Sequence, residues 1–210
     1  MSSGPAQAAN IPEALRPPPE NQRKVQFLFG LGPSSRVGGR GWYGYNCGRG
    51  WCGYGGGYGG AFKLHQEILF HLTGKWHGPA LSLVTQEEFA GGYFGFNILP
   101  RFAWDIHVYK PLALVISPFV GLGYHLSHWN PYWYNTYFGY VGAPNYSAAT
   151  LQFGVTGKLM IGQRWLVWLQ FPSADFQIGP GYYYCNPAVN YCPTYFAARF
   201  DVLAGGGVAF

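Results

Sequence analysis

The strongest constraint on the fold is the alternation of side chains at the end of the chain. Every second residue from 196 to 210 is apolar or small, and the opposite register carries Arg199 and Asp201. A period of two is that of a β-strand, in which successive side chains point to opposite faces. This segment therefore predicts a strand with one apolar face and one charged face, and Phe210 lies on the apolar face.

The composition indicates that the apolar face contacts lipid and not a protein core. Charged residues make up 10% of the chain and aromatic residues 20%, whereas a soluble domain has roughly 25% charged residues. No apolar run approaches the ~18 residues of a membrane helix. A membrane β-barrel needs this composition, because it exposes an apolar band flanked by aromatic side chains. The scattered Lys and Arg residues form no basic stripe, so nucleic acid is not an expected partner.

The alternation recurs in eight segments, which predict eight strands. They lie near residues 24–32, 61–73, 80–85, 93–107, 112–125, 147–161 and 164–171, and the last ends at Phe210. The third segment is the weakest. Residues 1–23 contain Pro17-Pro18-Pro19 and predict an N-terminal tail or linker, so one domain is expected from residue 24 to 210.

The spacers between these segments alternate in length. Long spacers at 33–60, 126–146 and 173–194, and a shorter one at 86–92, alternate with tight ones near 74–79, 108–111 and 162–163. Membrane barrels have long extracellular loops and short periplasmic turns. The chain is therefore predicted to be all-β, an eight-stranded antiparallel transmembrane barrel with up-and-down topology and both termini on the periplasmic side.

Two internal segments and the terminal aromatic carry a resemblance to a known family. Residues 117–124, residues 153–158 and Phe210 resemble the small eight-stranded β-barrels of bacterial outer membranes, over residues 24–210. The resemblance implies residence in the outer membrane and contact with its lipid. It also implies that Phe210 is an assembly signal, because the assembly machinery of this family reads a terminal aromatic.

Charged and titratable side chains occupy the register opposite the apolar face. They are Lys63, His65, Glu67, Arg101, Asp105, Lys158, Arg164, Arg199 and Asp201. An eight-stranded barrel is too narrow for an open pore, so side chains fill it, and buried charges must be paired. The set predicts a network that plugs the lumen. Its excess of cations motivates an alternative, a narrow path for protons or small ions.

Four cysteines lie in two of the long spacers, Cys47 with Cys52 and Cys185 with Cys192. In an oxidising compartment they predict disulfides. Four cysteines permit three connectivities, of which the local one is favoured. A metal site made from all four is the rival, but zinc-binding cysteines are usually closer in sequence. No metal and no cofactor are expected.

The long spacers are rich in aromatic residues. Those expected to take part in recognition are Trp42, Tyr43, Trp51, Trp129, Trp133, Tyr134 and Tyr183. Such residues either extend the interfacial girdle of a membrane protein or provide rigid contact area for a partner. A partner would be a protein or a surface polymer.

One short motif raises the question of catalysis. His125-x-Ser127-His128 resembles the His-x-Ser pair of the lipid A 3-O-deacylases, which are also eight-stranded barrels and pair a base with a hydroxyl nucleophile. The family's following Asn is His128 here, no acidic residue follows until Asp175, and parity turns His125 and Ser127 inward.

The sequence therefore predicts a non-enzymatic barrel with a plugged lumen and no catalytic residues. Its disulfide-shaped aromatic loops make it a structural or interaction subunit. An outer-leaflet lipid-modifying enzyme and a narrow channel are the alternatives.

Overall fold

A computed structural model describes residues 24–36, 45–48, 51–54, 60–90, 93–109, 113–129, 145–180 and 194–210. These contain ten strands: β1 (Val25–Arg36), β2 (Tyr45–Gly48), β3 (Trp51–Tyr54), β4 (Gly60–His71), β5 (Gly78–Ala90), β6 (Tyr93–Tyr109), β7 (Leu114–Trp129), β8 (Asn145–Ile161), β9 (Trp165–Pro180) and β10 (Thr194–Ala209). The described part of the chain includes no helix that is long and apolar enough to cross a membrane.

Eight of the strands form a closed antiparallel barrel. The order around it is β1-β10-β9-β8-β7-β6-β5-β4, and β4 pairs with β1 to complete the ring. Phe29 of β1, for example, lies between Gln66 of β4 and Gly206 of β10. The predicted fold is thus confirmed. The chain connections define two ends: the loop end has the long connections 37–59, 130–144 and 181–193, and the turn end has the connections 72–77, 110–113 and 162–164.

Burial alternates along the barrel strands, with apolar side chains outside. Leu122 and Trp165 are 65% and 66% exposed on the outer surface, whereas Lys63 and Gln152 are fully buried inside. This is the reverse of a soluble carrier, which would keep an apolar lumen and a polar exterior. It is the arrangement of a barrel whose outer face contacts lipid.

The small hairpin formed by β2 and β3 was not predicted. It lies in the connection between β1 and β4, and it places Cys47 directly opposite Cys52 in the register. Sequence alternation missed it because each strand has four residues, which is too short for a period-two pattern to stand out.

Several barrel strands are longer than predicted. β5 runs from Gly78 to Ala90 instead of 80–85, because its outward positions Thr85 and Glu87 are polar and interrupt the apolar pattern. β9 continues to Pro180, so residues 173–180 belong to the strand and not to the predicted loop. The loops predicted at 33–60 and 126–146 are likewise shorter, because β1 reaches Arg36 and β7 reaches Trp129.

A bulge in β9 explains why its second half was missed. Leu203 of β10 pairs with Gln170, but Asp201 pairs with Ser173, so β9 carries one extra residue between these pairs. A bulge of this kind shifts the parity of the strand. The inward positions are Leu166, Trp168 and Gln170 before it and Ser173, Asp175 and Gln177 after it. The apolar alternation therefore breaks at residues 171–172 although the strand continues.

The seam between β1 and β10 requires glycine at inward position 205, which pairs with Gly30. A Cβ atom added at Gly205 would overlap the backbone oxygen of Phe29, whereas one added at the outward neighbour Gly206 would come no closer than 3.5 Å, to the Leu166 oxygen.

We expect Gly205→Ala to lower the free energy of unfolding by about 1–3 kcal/mol, since the strands must separate locally. Gly206→Ala is the matched control and should leave it almost unchanged. Urea titration of the protein folded into phospholipid vesicles measures both, and equal effects of the two substitutions would show that the seam is not constrained in this way.

Candidate functional site

The interior near the loop end is organised around one buried lysine. Lys63 Nζ lies 2.6 Å from Asp175 Oδ2, 2.6 Å from Asp201 Oδ2 and 3.1 Å from Glu88 Oε1. All four side chains are fully buried. Three carboxylates share this ammonium, and Glu88 also pairs with Arg199. Burial of so many carboxylates requires these cations, because an unpaired charge in a low-dielectric interior is very costly.

A second set of contacts connects this lysine cluster to the entrance of the barrel. Tyr93 Oη accepts a hydrogen bond from Arg199 Nη2 at 2.9 Å and lies 3.2 Å from Glu88 Oε2 and 3.1 Å from His125 Nε2. His125 Nδ1 lies 2.8 Å from Asn97 Oδ1. His125 and Ser127 are 1% and 6% exposed, so the predicted inward direction of both side chains is confirmed.

Arg101 occupies the middle of the barrel. Its guanidinium group donates to Glu67 Oε2 and to Gln170 Oε1, both at 3.4 Å, and to Gln152. It also lies over the ring of Phe119, 4.0 Å from the ring centroid, which is a favourable position for a cation. The planar fork of an arginine suits this role because it reaches several acceptors at once.

His65 and two glutamines extend the contacts of Glu67 and Arg101 in the middle of the barrel. His65 Nε2 lies 3.2 Å from Glu67 Oε2, and His65 Nδ1 lies 3.2 Å from Gln86 Nε2. Gln152 Nε2 donates to Gln86 Oε1 at 3.4 Å. The contacts of Glu67 with Arg101 and His65 therefore belong to one continuous hydrogen-bonded layer.

A third layer of charges lies closer to the turn end. Lys158 Nζ donates to Asp105 Oδ2 at 2.5 Å and to Gln26 Oε1 at 3.3 Å. His71 Nε2 lies 3.0 Å from the same Asp105 oxygen, and His71 Nδ1 lies 3.2 Å from the backbone oxygen of Lys24. Asp105 is therefore held between a lysine and a histidine from two different strands.

Buried apolar side chains form a cluster around Trp76. Trp76, from the turn between β4 and β5, is only 2% exposed and packs with eight other buried apolar residues: Leu28, Ala113, Val115, Met160, Leu166, Trp168, Leu203 and Ala209. Gln26 Nε2 donates to the backbone oxygen of Trp76 at 3.4 Å. The tryptophan ring also meets the His107 ring edge-on at 4.7 Å between centroids. The turn end of the lumen is thus lined by apolar groups.

Most of the residues predicted to face the lumen do so, as expected from the inward and outward alternation along each strand. Those buried inside the barrel are Lys63, His65, Glu67, Arg101, Asp105, Lys158, Arg199 and Asp201. The prediction for Arg164 is wrong. It lies exposed in the turn between β8 and β9, because the inward and outward alternation does not continue beyond the end of a strand.

Sequence reasoning missed two inward carboxylates. Glu88 follows Gln86 in the inward register of β5, but that strand was ended too early. Asp175 was assigned to a loop because the β9 bulge concealed the strand. Among the described residues, the buried charges other than histidine are four cations and five carboxylates: Lys63, Arg101, Lys158 and Arg199 with Glu67, Glu88, Asp105, Asp175 and Asp201. The predicted excess of cations is therefore wrong.

The remaining predicted site residues either fall outside the described residues or belong to strand ends and the hairpin. Trp42, Tyr43, Trp133, Tyr134, Tyr183, Cys185 and Cys192 fall outside the described residues. Trp51 lies on β3 opposite Gly48, and Trp129 ends β7 opposite Tyr93. Phe210 is 63% exposed on the outer surface, and its backbone N–H donates to the Val25 oxygen at 2.8 Å. Within the described ranges, no group of His, Cys, Asp and Glu has an arrangement suited to a metal ion.

Comparisons with known proteins found similarity only to solved structures, at low sequence identity. No protein-family model and no curated protein matches the chain. The barrel domain of Pseudomonas aeruginosa OprF is 13% identical with a TM-score of 0.44, covering 90% of this chain and 99% of that domain. Neisserial surface protein A is 8% identical with a TM-score of 0.49, covering 89% and 97%. The P. aeruginosa outer membrane protein OprG is 10% identical with a TM-score of 0.46, covering 91% and 99%.

The class of the protein follows from its own geometry. A closed, even-numbered antiparallel barrel with apolar side chains outside and charged side chains inside is the architecture of bacterial outer-membrane barrels. The chain is a small barrel of this architecture, as its sequence predicted, and its outward side chains form an apolar surface suited to contact lipid.

The lysine cluster provides a direct test of the interior charges. Lys63→Met leaves Glu88, Asp175 and Asp201 without the ammonium that they share, so we expect the free energy of unfolding to fall by about 3–5 kcal/mol. Urea unfolding in vesicles measures this loss.

Arg164→Gln is the control for this experiment, because it also removes one cation but from the exposed turn. It should leave stability unchanged. Lys63→Met with wild-type stability would contradict the assigned ion pairs.

Proposed function

We propose that this protein is a non-enzymatic outer-membrane barrel with a plugged lumen, and that it serves as a structural or interaction subunit through its extracellular loops. The observation that carries the first part is the set of contacts that cross the interior. Lys63 of β4 reaches Asp175 of β9, Arg101 of β6 reaches Gln170 of β9, and Lys158 of β8 reaches Gln26 of β1. Each contact joins strands that are three positions apart around the eight-stranded ring.

The two alternative functions receive less support from the interior. The channel was motivated by an excess of lumen cations. Among the described residues, however, buried carboxylates outnumber buried cations, and an apolar cluster that includes Trp76 lies at the turn end. The lipid-modifying enzyme would need its base and nucleophile beside the outer leaflet. His125 and Ser127 are instead buried on the inner face, which favours a non-enzymatic function.

A barrel with a plugged lumen should not conduct ions. We expect the folded protein in planar lipid bilayers to give no unitary current steps at either polarity, because charged and apolar side chains occupy successive levels of the interior. A large-pore porin inserted into the same bilayer is the positive control. Reproducible steps from the folded barrel, absent after heat unfolding, would contradict the proposal.

The interaction part of the proposal rests on the placement of the long connections. The barrel strands bring connections 37–59, 130–144 and 181–193 to the same end, and these contain the aromatic residues that are suited to contact a partner. Tyrosine and tryptophan provide large contact areas at a low cost in conformational entropy. We therefore propose a protein or a surface polymer as the partner at the loop end, with outer-membrane lipid around the barrel.

Extraction of the native protein in mild detergent, followed by mass spectrometry, tests for this partner. We expect a stoichiometric protein or polymer that is lost in the variant Trp133→Ala/Tyr134→Ala. Trp165→Ala is the matched control, because it removes an exposed tryptophan at the turn end. Recovery of the barrel alone, or equal losses in both variants, would contradict recognition through the loops.

Two local disulfides are proposed to shape the loops. Cys47 faces Cys52 across the β2–β3 pair, and opposite residues in antiparallel pairs have Cα atoms about 4.5–5.5 Å apart, within the usual range for a disulfide. Cys185 and Cys192 are proposed to form the second bridge.

We expect thiol titration of the unfolded, unreduced protein to detect no free thiol, and peptide mapping to recover Cys47 with Cys52 and Cys185 with Cys192. The same titration after reduction is the control and should detect all four cysteines. Free thiols before reduction, or a bridge between the two loops, would overturn the local pairing.

A further inference from the structure

Three polar side chains interrupt the apolar outer surface of the barrel on two neighbouring strands. Gln66 lies on β4, and Thr85 and Glu87 are successive outward positions on β5. Gln66 and Thr85 are directly opposite each other in the register. We call these three residues the outer polar patch. Their direction is set by parity, because the residues on either side of each one are buried inside the barrel.

Apolar side chains lie on both sides of the outer polar patch along its two strands. Gln66 and Thr85 are near the middles of their strands. Towards the loop end, the next outward pair beyond Glu87 is Phe62 with Phe89, exposed by 45% and 42%. Towards the turn end, the next outward pair is Ile68 with Leu83, exposed by 40% and 46%. Apolar side chains therefore enclose the patch along both strands.

The three polar side chains of the patch have no polar partner among the described residues. None of the three has a hydrogen bond or an ion pair there, whereas every buried lysine, arginine and carboxylate of the lumen is in an ion pair. Hydrocarbon offers no donors or acceptors, so ionisable groups at this depth are costly and usually mark functional contacts. A polar surface at the same depth would provide these groups with partners.

We propose that the outer polar patch is the interface between two copies of this chain in the membrane. An amide and a hydroxyl both donate and accept hydrogen bonds, so Gln66 and Thr85 are complementary to themselves across a two-fold axis. The Glu87 carboxylate accepts from the amide or hydroxyl of the second copy, a charge-assisted contact. Because both copies insert in the same direction, a two-fold axis along the membrane normal brings the patches to equal depth.

The location of the patch on one side of the barrel favours a closed dimer. Across the barrel, on β8 and β9, the outward positions at mid-strand include Leu151, Phe153, Leu169 and Phe171. A single self-complementary surface joins two copies and leaves none for a third. This interface is lateral and independent of the extracellular loops, so it goes beyond the function proposed above.

Energy transfer between labelled copies tests the dimer. The full chain, labelled at its N-terminal amine with donor or acceptor, is folded into phosphatidylcholine vesicles at decreasing ratios of protein to lipid. We expect transfer above the random-encounter level, lost only at high dilution. The variant Gln66→Leu/Thr85→Val/Glu87→Leu should dissociate at a protein density at least tenfold higher. Leu151→Ala/Leu169→Ala, on the far side, is the control and should behave like the wild type.

Each outcome decides the proposal. The triple variant removes polar groups from a lipid-facing surface, so its barrel is expected to fold, and circular dichroism with heat-dependent gel migration verifies this. If it does not fold, Thr85→Val alone provides the comparison. Random-level transfer by the wild type at every dilution would overturn the proposal and leave a different membrane partner for the patch. Wild-type transfer in the folded variant would also overturn it.

Discussion

The pairing of the first strand, β1, with the last, β10, closes the barrel, and the rest of the structure depends on that closure. In hydrocarbon there is no water to satisfy backbone N–H and C=O groups, so a sheet survives only without free edges. Closure with eight strands then makes the interior narrow. Side chains that alternate inward must fill this space, and the few glycines of the β1–β10 seam let the backbones approach where a Cβ atom would not fit.

Because the interior is narrow, each buried charge needs an opposite charge beside it. Lys63 is stable in a buried position because Glu88, Asp175 and Asp201 surround it, and these carboxylates come from three different strands. Arg101 and Lys158 play the same part for Glu67 and Asp105 at other levels. The network therefore links strands that are distant in sequence.

The side chains of the outer surface, in contrast to those of the interior, do not need specific partners. Lipid accepts apolar side chains at any outward position, so the leucines and phenylalanines of the barrel need no specific partner. Gln66, Thr85 and Glu87 break this rule, and they are also the residues that obscured the β5 pattern in the sequence. The same chemistry therefore explains both the missed strand boundary and the proposed contact with a second copy.

The sequence by itself determined the barrel class, the number of barrel strands and the direction of most inward charges, because alternation with a period of two is a local property of each strand. It did not determine the full inward set. The β9 bulge shifts parity after Gln170 and turns Asp175 inward, and the strand end leaves Arg164 exposed. Only the tertiary structure decided which charges meet, since Lys63 and Asp175 are 112 residues apart and their contact depends on how the closed ring brings β4 and β9 together.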